Sequence, residues 1–169
     1  AAVGLSRPMS THSPTIIIAG SGFGGLCMAA RLKQSGRDDF IILEKSASLG
    51  GTWRDNRYPG AECDVASVYY SYSFYSNPTW DFKWAKQKQI LSYLEQFAKA
   101  MERTEQFLVG QAVKTEVYDD DRARWIIETK SGQTYDAQFF IPALGQLHRP
   151  NTPHFEGQDV FSGPQFHSA

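Results

Sequence analysis

The hydrophobic pattern changes period several times along the chain, and each change marks an element. Residues 15–19 (TIIIA) are apolar without polar alternation, which predicts a strand covered on both faces, as in a parallel sheet. Glycine-rich residues 20–25 follow at once. Residues 26–34 carry Leu26, Ala29, Ala30 and Leu32 at helical spacing and are ended by Ser35-Gly36. Residues 40–43 (FIIL) repeat the buried-strand pattern. Strand, glycine turn, helix and strand make a βαβ unit of the expected length. Residues 46–85 read as loop, rich in Gly, Pro, Asn and Ser; their aromatic density argues for an ordered, functional segment rather than disorder. Residues 86–101 return to helical spacing, with Ile90, Leu91, Leu94, Phe97, Ala98 and Met101 on one stripe. Residues 111–118 and 124–129 read as strands joined by Asp119-Asp120-Asp121. Ser131-Gly132 turns the chain again, and Tyr135 opens a third strand. Residues 139–141 predict one more buried strand, ending in Pro142-Ala143-Leu144-Gly145.

Composition narrows the class. The 169 residues are 41% hydrophobic and 21% charged, enough for one sizeable core. Lys plus Arg is 17 and Asp plus Glu is 18, a net charge of −1, so neither nucleic acid nor an anionic membrane is the expected partner. Apolar runs fall far short of the roughly 20 residues that span a bilayer. The two cysteines, Cys27 and Cys63, make neither a disulfide framework nor a zinc site, and no metal is expected. Cys63 is expected to be the more exposed thiol, and Cys27 to be packed on the first helix. The first apolar stretch is too short for a signal peptide, which predicts a cytoplasmic protein. The lysines of residues 86–99 read as a solvated helix face.

Gly20-Ser21-Gly22-Phe23-Gly24-Gly25 fits G-x-G-x-x-G. Gly20 allows a tight turn, Gly22 lets a pyrophosphate approach the backbone, and Gly25 lets the helix pack close to the sheet. The helix N-terminus then presents free amides and the positive end of its dipole. Glu44 ends the second strand 19 residues after Gly25, where a carboxylate accepts both hydroxyls of an adenosine ribose. An acid there disfavours a 2′-phosphate, so the first site suits FAD or NAD rather than NADP. The plainer alternatives are a glycine-rich turn and a solvated strand-end charge. The fold class predicted is α/β: a Rossmann-like domain with a parallel sheet and a small antiparallel β-meander.

Further along, Gly50-Gly51-Thr52-Trp53, Asn56-Arg57-Tyr58-Pro59-Gly60-Ala61, Cys63-Asp64 and Tyr70-Ser71-Tyr72-Ser73-Phe74 occur in order. With the first glycine turn they resemble the N-terminal region of Baeyer–Villiger monooxygenases, flavoproteins with two dinucleotide-binding domains. Phe161-Ser162-Gly163-Pro164-Gln165-Phe166-His167 fits the start of that family's F-x-G-x-x-x-H-x-x-x-W fingerprint. The resemblance implies an enzyme that binds FAD, takes hydride from NADPH, and uses O2 to insert oxygen next to a carbonyl, giving esters or lactones, or to oxidise a heteroatom. It implies an FAD-binding domain over residues 15–145, incomplete relative to the family, and a linker towards an NADPH domain over residues 146–169. Residues 1–14 are expected to be a disordered lead-in, with Met9 a candidate natural start and residues 1–8 an expression remnant. A chain of this length is expected to be inactive alone and prone to self-association, because sheet edge and apolar faces would be uncovered. Two alternatives stay open: an N- or S-oxidising monooxygenase of the same fold, and a non-catalytic flavin or adenine-nucleotide binding module.

The resemblance also implies residue roles. Gly20, Ser21, Gly22, Phe23 and Gly25 would hold the FAD pyrophosphate, joined by Gly51 from the second glycine pair, and Glu44 the ribose. Thr52, Trp53, Arg54 and Asp55 match positions along the ribityl chain and flavin edge. Asp64 matches the family's catalytic aspartate near flavin and nicotinamide. Tyr70 matches a tyrosine at the flavin, Val113 a backbone contact to adenine, and His167 a hinge between the nucleotide domains, with Phe161 and Gly163 setting its turn. By residue type alone, Trp53 and Tyr70 equally suit core packing, Asp64 a turn cap, and Val113 a strand. Two departures stand out. Ala143-Leu144-Gly145 replaces the usual Ala-Thr-Gly, and acidic Glu62 stands where a basic residue is usual before Cys63-Asp64, which bears on NADPH phosphate.

Overall fold

A computed structural model describes residues 13–101, 106–146 and 149–167. Residues 1–12, which include Met9, and residues 147–148 and 168–169 of the expected linker lie outside the described residues.

The first glycine turn separates strand β1 (Ile16–Ala19) from helix α1 (Phe23–Gln34), and β2 (Phe40–Leu43) follows. The two strands pair in parallel, Ile16 opposite Phe40 and Ala19 opposite Leu43. Every residue of both strands is buried, as their unbroken apolar pattern requires when both sheet faces are covered. The helix begins three residues earlier than the apolar spacing indicates, because the glycines themselves build its first turn. It ends where the Ser35 hydroxyl donates to the Leu32 carbonyl at 2.7 Å and Gly36 turns left-handed at φ +76°.

Short helix α2 (Thr52–Asp55) and long helix α3 (Gln87–Ala100) come next, then β3 (Phe107–Leu108). A meander of β4 (Val113–Asp119), β5 (Arg124–Thr129) and β6 (Thr134–Ala137) leads into β7 (Phe139–Pro142). The parallel sheet runs β3-β2-β1-β7, and the antiparallel sheet β4-β5-β6. Alternation along the central strands sorts their side chains between two cores. Ile16, Ile18, Phe40 and Ile42 join Leu26, Ala29 and Ala30 of α1 and Ile90, Leu94 and Phe97 of α3. Ile17, Ile41 and Leu43 meet Ile127, Tyr135 and Ala137 of the meander. Each such buried isoleucine or leucine contributes about 1.5–3 kcal/mol.

Four readings change. The last strand, β7, is an edge strand, with Phe139 49% exposed, and is not buried on both faces. Residues 46–85 are an ordered layer that includes α2. Within it, residues 61–63 run antiparallel to residues 85–87: Cys63 donates its amide to the Ala85 carbonyl at 3.0 Å, and Gln87 to that of Ala61 at 2.9 Å. This pairing buries Cys63, whose thiol donates to the Val65 carbonyl at 3.0 Å. Cys63 is therefore the less exposed thiol, and Cys27, half-buried on α1, the more exposed. Finally, β3 was not legible, being only two residues long. Among the described residues no helix is long and apolar enough to cross a membrane.

Candidate functional site

The site lies where β1 and β2 end. The Gly20 amide donates to the Leu43 carbonyl at 2.8 Å, which brings the first glycine turn onto the end of β2. Gly20 itself has φ +105°, and a Cβ there would lie 2.5 Å from the Ala143 carbonyl oxygen. Helix α1 opens at Gly22 with no side-chain cap. Its first-turn amides lack intrahelical acceptors and point out of the sheet end.

The second glycine pair closes against the first. Gly50 donates its amide to the Ser21 carbonyl at 3.1 Å. Gly51, at φ +52°, lies so near that a Cβ on it would be 3.1 Å from the Gly22 Cα. The chain then enters α2, which carries Trp53 inward and leaves Thr52 and Asp55 exposed.

Glu44, 3% exposed, ends β2 inside this arrangement. Its Oε2 accepts the Ser21 amide at 3.0 Å and the Ser21 hydroxyl at 2.6 Å. Its Oε1 accepts the Ser46 amide at 2.9 Å and Arg54 Nη1 at 2.9 Å. Burial pushes the Glu44 carboxyl up, but the donors from Ser21, Ser46 and Arg54 outweigh it and hold the group below the usual value. Glu44 is therefore not a solvated strand-end charge.

Burial likewise pushes the Arg54 guanidinium down, and Asp55 and Glu44 more than restore it. Arg54 Nε donates to Asp55 Oδ1 at 2.9 Å. Arg54 Nη2 is 2.8 Å from the same oxygen as an ion pair.

Phe23, Trp53 and Tyr70 form an aromatic wall beside the turn. Trp53 Nε1 donates to the Tyr70 hydroxyl at 3.1 Å, and the rings meet edge-on at 5.6 Å. Phe23 meets Tyr70 edge-on at 5.2 Å. Burial raises the Tyr70 hydroxyl; the Trp53 hydrogen bond offsets part of this, while Cys63 and Asp64 add to it. The Tyr72 hydroxyl, pushed far above its usual range by burial, donates to the Phe23 carbonyl at 2.7 Å. These contacts order the aromatic run and tie it to α1. Gln87, which sequence reasoning passed over, is buried and donates to the Trp53 carbonyl. Its signal was a polar residue in register with Ile90 and Leu94 on the apolar stripe of α3.

Other singled-out residues flank this arrangement or lie beyond it. Asp64, close enough to Tyr70 to raise its hydroxyl, is exposed in a bend and caps nothing among the described residues. Val113 begins β4 against the meander core, reached from the site through Gln111, whose amide donates to the Glu44 carbonyl at 2.8 Å. Leu144 is 51% exposed just past the Gly20 contact. Glu62 is paired with Lys86. His167 lies on the exposed final segment. There the Phe161 ring covers Gly163 so closely that a Cβ would be 2.4 Å from it, which accounts for a glycine at that turn.

Comparison with known proteins agrees with this architecture. Residues 18–83 match the NAD(P)-binding Rossmann-like domain family. A Baeyer–Villiger monooxygenase of Streptomyces coelicolor is 44% identical over 154 residues, which cover 91% of this chain and 30% of that protein. Cyclohexanone monooxygenase from Rhodococcus sp. Phi1 bound to NADP+ superposes with a TM-score of 0.80 at 32% identity, covering 92% of this chain and 31% of the other. OTEMO in complex with FAD and NADP superposes with a TM-score of 0.80 at 28% identity, covering 94% and 31%. The chain thus spans about 30% of the length of the relatives it matches. With its glycine turn, buried strand-end acid and second glycine pair, this chain is a Rossmann-like region related in sequence and in fold to the N-terminal part of the Baeyer–Villiger monooxygenases.

Proposed function

We propose that this chain is the FAD-binding part of an NADPH- and O2-dependent flavin monooxygenase that converts ketones to esters or lactones, with heteroatom oxidation open to the same chemistry. The observation that carries the reading is Glu44, a buried carboxylate at the end of β2 hydrogen-bonded to the glycine turn at the end of β1. Its similarity to flavin monooxygenases over nearly the whole chain supports the reaction class.

The residues suit a nucleotide diphosphate. Gly22 offers bare backbone, and α1 has no side-chain cap. In this reading Gly20, Ser21, Gly22, Phe23 and Gly25 hold the diphosphate, and Glu44 the adenosine ribose. Gly51 and Thr52 follow the ribityl side; Arg54, expected there too, is instead bonded to Glu44 at the adenosine ribose, with Asp55 behind it, and Val113 meets the adenine through its backbone. Trp53 and Tyr70, locked to each other, exclude water at the flavin edge. Asp64, an exposed carboxylate, holds polar groups of both cofactors and orients an arginine from elsewhere in the protein. FAD held by these residues would supply the hydride acceptor for NADPH and the means of activating O2. The Lys86 partner offsets the repulsion that Glu62 would exert on an NADPH phosphate.

Residues 15–145 would form the FAD-binding domain and residues 146–169 the link to an NADPH domain, with His167 at its hinge. The free thiols of Cys27 and Cys63 suit a reducing cytoplasm. The open β7 edge with exposed Phe139 favours self-association.

The test is flavin retention and product identity. The full-length protein should be yellow, and Glu44→Ala should weaken FAD binding; unchanged affinity would refute the ribose assignment. Mass spectrometry after supplying a ketone, then a sulfide, with NADPH and O2 separates Baeyer–Villiger from heteroatom oxidation. No product and no NADPH consumption would leave only a binding module.

A further inference from the structure

We propose that the Ser21 hydroxyl and the Arg54 guanidinium form an exchangeable cap on Glu44, giving up its carboxylate to the two hydroxyls of a bound ribose. The inference rests on reading the glycine turn as a nucleotide diphosphate site. An ionised carboxylate offers about four acceptor positions. At Glu44 four donors take them: the Ser21 amide and hydroxyl on Oε2, the Ser46 amide and Arg54 Nη1 on Oε1. A ribose diol brings two more donors, so it engages Glu44 only by replacing two of those present.

Which two can leave follows from what holds them. The Ser21 amide belongs to the glycine turn that is pinned to Leu43. The Ser46 amide follows Glu44 by two residues, and the Ser46 carbonyl is itself held by the Gly110 amide at 2.9 Å. The other two donors are side chains. The Ser21 hydroxyl leaves by rotation about χ1 and then donates to a ligand oxygen. Arg54 remains paired when it releases Glu44, because Nε still donates to Asp55 at 2.9 Å and Nη1 also reaches the Ser48 carbonyl. Each oxygen of Glu44 thus carries one fixed main-chain donor and one replaceable side-chain donor. The replaceable pair, one donor per oxygen, equals in number the two neighbouring hydroxyls of a ribose.

The test titrates the full-length protein, freed of flavin, calorimetrically with ADP and with 2′,3′-dideoxy-ADP, which keeps the diphosphate and lacks both hydroxyls. The preference for ADP is compared among wild type, Arg54→Met, Ser21→Ala and Glu44→Gln, each verified as folded by circular dichroism. With one competing donor gone, the preference should rise about three- to tenfold in Arg54→Met and in Ser21→Ala, and fall to about one in Glu44→Gln. Taking the ratio of the two ligands cancels the loss of the Arg54 charge near the diphosphate. An unchanged or lowered preference in either folded variant overturns the cap; if Glu44→Gln still abolishes the preference, the ribose assignment survives. A preference of one in every protein removes that assignment, and the cap with it. Should Arg54→Met fail to fold, Ser21→Ala decides by the same comparison.

Discussion

A Cβ on Gly25 would lie 1.9 Å from the carbonyl oxygen of Gly20. The first turn of α1 therefore packs directly on the turn that leaves β1, and neither backbone can retreat. Gly20 is held by Leu43 on one side and would meet Ala143 on the other.

Gly25→Ala should accordingly destabilise the fold by about 3 kcal/mol, the upper end for overpacking. Gly24→Ala is the control. Its added methyl would find only the Ala143 Cβ at 3.8 Å, and alanine favours the helix by up to about 1 kcal/mol. Urea unfolding of the two variants should move the midpoint in opposite directions.

Glu44 makes stability depend on pH. Its folded pKa lies below the unfolded value of 4.5, so its contribution is fully present above that value and is lost as pH falls through the folded pKa. Glu44→Gln should cost about 1–3 kcal/mol near neutral pH. The gap to wild type should shrink below pH 4.5, where the wild-type carboxyl begins to lose its advantage. Denaturant midpoints measured from neutral pH into acid check this.

Tyr70→Phe removes the acceptor for Trp53 Nε1 at 3.1 Å while keeping the ring that meets Phe23 and Trp53. The cost should be about 1–2 kcal/mol, set by the indole N–H left in a half-buried place. Tryptophan emission at 295 nm excitation should also change; a variant with wild-type stability and emission would mean that the bond contributes nothing.

Asp64→Asn should leave unfolding free energy within about 0.5 kcal/mol of wild type, as for an exposed surface side chain. In the full-length protein the same change should reduce coupling of NADPH oxidation to product. Equal turnover and coupling in the variant would remove Asp64 from the proposed chemistry.

Strands β1 and β2 were legible because burial on both faces leaves an unbroken apolar run. The meander was legible because its turns carry Asp119-Asp120-Asp121 and Ser131-Gly132. The edge position of β7 was not, since Phe139–Ile141 looks locally like β2; being an edge depends on which strands pair beside it. Cys63 misled for a similar reason. It follows a loop rich in turn residues, and its pairing with Ala85 and packing into the core bury it.

At the candidate site, chain order alone specified the glycine turn, the strand-end acid and the second glycine pair, because each requirement is local: a sharp turn, a bare backbone, a charge at a fixed distance along the chain. It could not specify that Arg54 turns back onto Glu44, that Gly50 is held by Ser21, or that Gln87 reaches across to Trp53. Those contacts join residues 10 to 34 positions apart. They exist because two parallel strands end together and bring separate loops onto one surface. Long-range proximity of this kind leaves no periodic trace in a sequence, since it is set by how packed layers meet rather than by what any one segment prefers.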